Sequence, residues 1–120
     1  SPEMVKTFAI AKLGHLKREA FGVMFLDTRH RLLKYDVLFR GTIDGASVYP
    51  RVVAEEALLN HAAAVIFMHN HPSGDPTPSM SDKAITKKLK DALALFDIRV
   101  LDHIIVGDTV TLSMAEKGMV

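Results

Sequence analysis

The chain has 120 residues, of which 48% are hydrophobic, and a formal net charge of +1, which suits one globular domain rather than two. It has no cysteine, which excludes a disulfide framework and a thiolate metal site, so any metal would be bound by imidazole and oxygen ligands. No apolar run reaches the roughly 18 residues of a membrane span, and the small net charge gives no strong field that would attract nucleic acid. We therefore expect a single cytoplasmic domain without membrane contact.

The N-terminal segment predicts a helix followed by a buried strand. Ser1 as N-cap and Pro2 in the first turn begin a helix that runs to about Leu13, and Gly14 ends it. Residues 20–26 form a nearly unbroken apolar run, which is typical of a strand that is buried on both faces.

The next segment alternates between apolar and polar residues and predicts a half-buried strand over 31–39. This strand should pair with the buried run before it as a hairpin, and residues 40–47 should form a loop with room for one short strand. The apolar residues expected on one face of the strand are Leu33, Tyr35, Val37 and Phe39.

The second half predicts a helix over 50–61, a short buried strand over 64–68, a helix over 79–96, a buried strand over 100–106 and an edge strand over 110–113. The apolar face expected on the first of these helices comprises Val52, Leu59, Ala62 and Ala63. The stripe expected on the second comprises Ile85, Leu89, Leu93 and Phe96. The order of elements predicts an α/β (α+β) fold, a three-layer sandwich around a mixed sheet.

A cluster of potential metal ligands lies between the short buried strand and the helix after it. His69 and His71 end the strand, and side chains two residues apart on an extended backbone point the same way. A loop that carries three of the five prolines then leads to Asp82 in the first turn of the helix. Two imidazoles and one carboxylate leave a fourth tetrahedral position open, as catalytic zinc requires. We therefore expect one Zn²⁺ per chain.

Each part of this cluster also has a simpler interpretation. A single His-x-His pair is weak, because many histidines only satisfy polar groups of a core. Ser79 and Asp82 fit a capping box, in which the acid stabilises the helix start, and Asp75 is most simply a turn residue. The combination favours metal binding, because a rigid loop that joins two buried histidines to an acid is costly unless something binds there.

The full pattern closely resembles a known family. His-x-His, seven residues, Ser, two residues and Asp is the signature of the JAMM metalloproteases, also called MPN⁺ or JAB domains, and it matches at His69, His71, Ser79 and Asp82. The loop over 69–79, the segment over 39–45 and the late Asp-His over 102–103 resemble the RadC branch, bacterial proteins once linked to DNA repair. The resemblance covers essentially all of 1–120. It implies a cytidine-deaminase-like/JAB architecture and, since longer relatives carry an N-terminal helix-hairpin-helix segment, a C-terminal fragment of a longer protein.

The resemblance also implies two catalytic residues. The family requires an upstream glutamate as general base, and of the five glutamates only Glu19 opens a buried strand. Glu55 and Glu56 are the competing candidates, although a solvated helix face explains them, and a solvent-facing acid at a strand end would explain Glu19. The motif serine, which stabilises the tetrahedral intermediate in the family, maps to Ser79.

Other metal families fail on length or spacing. Amidohydrolases place His-x-His on a (β/α)₈ barrel of about twice this length. The metallo-β-lactamase pattern needs an acid where Ser73 stands. In HNH nucleases the three residues are dispersed over a ββα unit, so the contiguous tripeptide over 69–71 carries no weight.

Two functions from different classes follow. The first is a zinc-dependent hydrolase of peptide or isopeptide bonds; the second is a metal-binding accessory module in DNA metabolism that has no turnover. The second would be favoured by nucleic-acid contact along a basic patch on the helix over 79–96, although such a run is usually a solvated face. The patch comprises Lys83, Lys87, Lys88 and Lys90. A degenerate domain without metal is disfavoured because all four motif residues are present.

Overall fold

A computed structural model describes residues 1–44 and 47–120. In these ranges the elements are α1 (Pro2–Leu13), β1 (Ala20–Leu26), β2 (Leu32–Arg40), α2 (Pro50–Leu59), β3 (Ala64–Asn70), α3 (Met80–Ala94), β4 (Arg99–Gly107) and β5 (Val110–Ser113). The five strands form one sheet in the order β2-β1-β3-β4-β5. β3 and β4 pair in parallel, whereas the other neighbours are antiparallel. The predicted α/β fold with a mixed sheet is confirmed.

Helices cover both faces of the central strands, which gives the predicted three layers. Apolar residues of α1 pack on one face, with Ala9 and Leu13 fully buried there. α2 and α3 pack on the other face, where Val53 and Leu89 are fully buried. β1 and β3 are buried along their whole lengths, which explains why both are continuous apolar runs rather than alternating ones.

The hairpin of β1 and β2 forms as predicted, but the single apolar face expected on β2 is wrong at Phe39. The pairing shifts between Phe21 and Gly22, so that Phe21 lies opposite Phe39 and Gly22 lies opposite Val37. The extra residue of β2 at this bulge reverses the face of the sheet to which the following side chains point. Tyr35 and Val37 therefore pack toward α1, whereas Leu38 and Phe39 pack against the core on the opposite face of the sheet.

The apolar face predicted for the helix over 50–61 is correct only at Ala62, which is buried in the core beyond the end of α2. The buried side of α2 is formed by Val53, Ala54 and Ala57, while Leu59 is 66% exposed. The small side chains of Ala54 and Ala57 allow α2 to approach the sheet closely. On α3 the predicted stripe holds for Ile85, Leu89 and Leu93. Phe96 lies beyond the helix and is 48% exposed.

β2 extends one residue into the loop predicted over 40–47, to Arg40, and the other described residues of that loop form no strand. Gly45 and Ala46 of that loop lie outside the described residues, and Gly45 is also the last residue of the RadC-like segment over 39–45. None of the helices in 1–44 and 47–120 has the length and apolar composition that a bilayer span needs.

The β3–α3–β4 unit determines where a site can form. Because β3 and β4 are parallel, the chain must cross over between them, and α3 provides the crossover. The start of α3 therefore returns to the carboxyl end of β3, which is the edge of an open α/β sheet at which ligands usually bind. β1 runs antiparallel to β3 with Phe21 opposite His69, so the start of β1 reaches the same edge.

Candidate metal centre

His69 and His71 meet at the carboxyl end of β3. The sheet register orients His69 toward the α2/α3 side, where its side chain is completely buried. His71 follows the strand, and its backbone N–H still donates to the carbonyl of Val106 on β4 at 2.8 Å. The Nε2 atoms of the two rings lie 3.0 Å apart, as the alternation of an extended backbone predicts.

Asp82 completes the cluster from the first turn of α3. Its Oδ1 lies 3.1 Å from Nε2 of His69 and its Oδ2 lies 3.0 Å from Nε2 of His71. The side chain is 2% exposed. The capping box is present as well, since the backbone N–H of Ser79 donates to Oδ2 at 2.8 Å and the backbone N–H of Asp82 donates to Oγ of Ser79 at 3.0 Å. Capping and convergence therefore occur together, and the cap is what orients the carboxylate.

The donor set of this cluster fits a cation. Nδ1 of His71 lies 2.9 Å from the carbonyl oxygen of Asp75, which can only accept, so Nδ1 carries the proton. In the neutral ring Nε2 then presents a lone pair to Nε2 of His69 and to the carboxylate of Asp82. Only a proton or a metal ion between these atoms relieves the contact of lone pairs. Two imidazole nitrogens and a carboxylate are ligands that Zn²⁺ accepts.

The charges of the cluster are strongly coupled. Burial opposes ionisation of Asp82, but the facing imidazoles of His69 and His71 and the backbone N–H of Ser79 outweigh it and hold the pKa of the carboxyl far below its usual range. The hydrogen bond with Asp82 raises the pKa of His71 above its usual value, against partial burial. The site is therefore an anionic pocket that favours a cation.

Glu19, the residue before β1, lies beside the two histidines. One potential ligand atom from each of Glu19, His69 and His71 lies within 4.8 Å of the other two. Glu19 is half-buried, and its carbonyl accepts the backbone N–H of Gly41 at 2.9 Å. The group could itself bind a metal ion, or its carboxylate could face one that is held by the histidines and Asp82. In either case Glu19 borders the cluster.

The other predicted residues lie farther from the cluster or at its edge. Ser79 is exposed, and it touches the cluster through the capping box. Asp75 belongs to the loop, where its carboxylate accepts from the backbone and hydroxyl of Thr77, as expected of a turn residue. Glu55 is exposed and Glu56 half-buried on α2, and they are not part of the group that Glu19 forms with the histidines.

The loop that joins β3 to α3 packs tightly against β4. A methyl group on Gly107 would lie 2.3 Å from the carbonyl oxygen of Gly74 and 2.7 Å from its carbonyl carbon. Gly74 itself has a φ of +92°, a conformation that L side chains rarely adopt. The two glycines thus permit the close approach that fixes the loop after His71.

Sequence reasoning missed three buried polar residues around the site. His103 and Thr86 lie behind His69, and Asn70 lies between the two histidines but points to the opposite side of β3. A signal existed for His103, because an ionisable residue inside an apolar strand needs a partner. Its role was hidden because the pairing of β3 with β4, which places Phe67 opposite His103, is not a local property.

Comparison with known proteins gives a consistent result. A family profile described as "RadC-like JAB domain" matches residues 1–119. A "UPF0758 protein" of Stutzerimonas stutzeri (strain A1501) is 59% identical over 118 residues, which is 98% of this chain and 53% of that protein. Two proteins with the same description from Vibrio cholerae serotype O1 are 55% identical over 98% of this chain and 74% of the relative, and 61% identical over 89% of this chain and 67% of the relative. The chain spans about half the length of the first of these relatives.

Proposed function

Because this chain belongs to the RadC-like JAB domain family, whose domains resemble metal-binding JAMM modules, we propose that it is a zinc-dependent hydrolase of peptide or isopeptide bonds. The single observation that carries the proposal is the convergence of His69, His71 and Asp82, with neighbouring ligand atoms 3.0–3.1 Å apart. These three residues would hold the ion. A zinc ion there would supply a Lewis acid, which lowers the pKa of a bound water to about 7 and polarises a carbonyl group.

Glu19 is the proposed general base. Its carboxylate borders the two histidines, close enough to accept a proton from the attacking water directly or through one more water. The protonated carboxyl then donates that proton to the leaving amine, so Glu19 ends the cycle ionised as it began. Its half-buried position at the start of β1 leaves one side open for a substrate.

Ser79 is the proposed donor to the oxyanion. Its Oγ already accepts the backbone N–H of Asp82, and a hydroxyl can accept one hydrogen bond and donate another. The hydroxyl hydrogen is therefore available for negative charge that develops on the carbonyl oxygen. The start of a helix favours that charge as well.

Zinc binding and turnover test the proposal in sequence. Elemental analysis and zinc titration should give about one ion per chain, and a screen of peptide and isopeptide substrates should then find turnover by the metal-loaded protein. Glu19→Gln should keep the zinc affinity and lower turnover by about 10²–10⁴-fold. Glu55→Gln is the matched control, since Glu55 is an exposed glutamate of α2, and it should retain full turnover. A Glu19→Gln variant as active as the wild type would remove the proposed base.

A domain that binds zinc but stays inert across a broad screen would support the accessory module instead. The four lysines of the basic patch on α3 are all exposed, and Lys87 is paired with Asp91 at 2.7 Å. If the patch binds DNA, affinity should fall steeply as salt concentration rises, because neutralised phosphates release counterions.

A further inference from the structure

A chain of hydrogen bonds runs from His69 into the core of the protein. Nδ1 of His69 lies 2.7 Å from Nε2 of His103, and Nδ1 of His103 lies 2.6 Å from Oγ1 of Thr86. Oγ1 of Thr86 donates in turn to the backbone carbonyl of Asp82 at 2.7 Å. All four residues are at most 2% exposed. The chain therefore links two proposed metal ligands through the interior of the protein.

Thr86 determines the direction of the protons in this chain. Its hydroxyl has one hydrogen, which goes to the carbonyl of Asp82, so toward His103 the oxygen can only accept. His103 must then carry its proton on Nδ1 and present a lone pair at Nε2. That lone pair accepts a proton held on Nδ1 of His69. Nε2 of His69 is left without a hydrogen, facing the proposed metal position.

The surroundings of His103 keep its ring at one proton. The rings of Phe21 and Phe67 pack against His103 in T-shaped arrangements, with centroid distances of 5.5 and 5.9 Å. Apolar contacts disfavour the charged imidazolium, so the second ring nitrogen remains an acceptor. With a single proton on His103, the position of that proton decides the position of the proton on His69.

We propose that His103 and Thr86 are positioning residues that hold His69 in the Nδ1–H tautomer and thereby set the metal affinity of the site. The inference rests on the proposed metal centre. The tautomer matters for metal affinity because the alternative one competes with the metal. A proton on Nε2 of His69 would be accepted by Oδ1 of Asp82, 3.1 Å away, and would block the metal position. Partners behind a metal-bound histidine typically change affinity by about 10–100-fold.

The variant Thr86→Val tests the proposal because it removes the hydroxyl and keeps the branched shape. The Nδ1–H of His103 then has no acceptor, and a buried unpaired donor is unfavourable. His103 should move its proton to Nε2 and donate to His69, which shifts the proton of His69 to Nε2. We expect zinc affinity to fall about 10–100-fold, measured by isothermal titration. Thr86→Ser keeps the hydroxyl and should bind within about threefold of the wild type.

The proton positions can be read directly. Nitrogen-15 NMR of the metal-free protein, with long-range couplings to the ring carbon-bound protons, distinguishes Nδ1–H from Nε2–H in each histidine. We expect His69 as Nδ1–H in the wild type and in Thr86→Ser, and as Nε2–H in Thr86→Val. A hydroxyl that served only packing would change the unfolding temperature in Thr86→Val and leave the tautomer of His69 unchanged.

A second pair of variants covers the case in which Thr86→Val does not fold. His103→Gln retains a carbonyl that can accept from Nδ1 of His69, whereas His103→Leu offers no acceptor. Circular dichroism establishes that each is folded, and the Gln variant should bind zinc more tightly than the Leu variant by at least about tenfold. Equal zinc affinities of the two Thr86 variants or of the two His103 variants would overturn the proposed role of His103 and Thr86. A proton on Nε2 of His69 in the metal-free wild type would overturn it as well. Wild-type protein that binds no zinc would instead overturn the proposed metal centre.

Discussion

Asn70 fixes the main chain immediately before and after Glu19. Its Oδ1 accepts the backbone N–H of Ala20 at 2.8 Å, and its Nδ2 donates to the carbonyl of Arg18 at 3.0 Å. The side chain is 2% exposed. The residue between the two histidines thus anchors the segment that carries the proposed base, so a single tripeptide at the end of β3 organises both sides of the site.

Asn70→Ala should loosen this segment. The backbone groups of Ala20 and Arg18 lose their partner, and leaving buried polar groups unpaired costs about 1–3 kcal/mol. We expect faster hydrogen exchange of the Ala20 amide and lower turnover if Glu19 is the base. Asn60→Ala is the control, because Asn60 also donates to a backbone carbonyl, at 2.7 Å, but on α2. Unchanged exchange at Ala20 in Asn70→Ala would show that the anchor is dispensable.

Asp82→Ala should abolish tight zinc binding. As a cap alone, Asp82 would contribute on the order of 1 kcal/mol to stability and nothing to metal affinity. As a ligand, it is the anionic partner of His69 and His71. Isothermal titration with zinc separates the two roles, with Asp75→Ala as a control because that carboxylate binds Thr77 in the loop. Unchanged zinc affinity in Asp82→Ala would leave Asp82 as a helix cap only.

Gly107→Ala should weaken metal binding although Gly107 is not one of the proposed ligands. The added methyl group would overlap the carbonyl of Gly74 at 2.3 Å, so the loop after His71 must move away from β4. We expect a lower zinc affinity with the sheet retained. Gly22→Ala is the matched control, since its methyl group would meet the Tyr35 hydroxyl at 2.6 Å; it should lower the unfolding temperature and leave zinc affinity unchanged. Equal zinc affinities of Gly107→Ala and the wild type would contradict the proposed constraint.

The stability of the fold should change with pH in opposite directions in the metal-free and the zinc-loaded protein. The hydrogen bond with Asp82 raises the pKa of His71 in the folded, metal-free protein. This contribution to stability is fully present below the unfolded pKa of about 6.5 and is lost as pH rises through the raised folded value. The lowered pKa of Asp82 contributes stability above its unfolded pKa of about 3.9, which is lost as pH falls through the folded value.

Zinc requires a neutral His71, so binding releases a proton and strengthens as pH rises. Between pH 6 and 8.5 we therefore expect the thermal stability that is due to this cluster to fall without zinc and to rise with it. The measurement is the difference in unfolding temperature between loaded and metal-free protein across that range. A difference that stays constant would mean that zinc and the His71 proton do not compete.

The sequence determined the parts of this protein that depend on local order. Continuous apolar runs specified β1 and β3 because strands buried on both faces need no alternation. The family motif gave His69, His71, Ser79 and Asp82 as candidates, and the two histidines and Asp82 converge in the structure. The local pattern predicted the wrong side of the sheet for Phe39, because a shift in the pairing of β2 with β1 reverses the direction of its side chain. It also predicted the wrong buried side for α2, where small residues rather than Leu59 face the sheet.

Only the tertiary structure decided which groups surround the histidines. His103 and Thr86 are 34 and 17 residues from the partners they meet in the chain of hydrogen bonds, and Asn70 is 50 residues from Ala20. These contacts arise because β3 pairs with β1 on one side and with β4 on the other. Sheet register is fixed by the packing of whole faces, so the proton order behind His69 could not be read from the residues next to it.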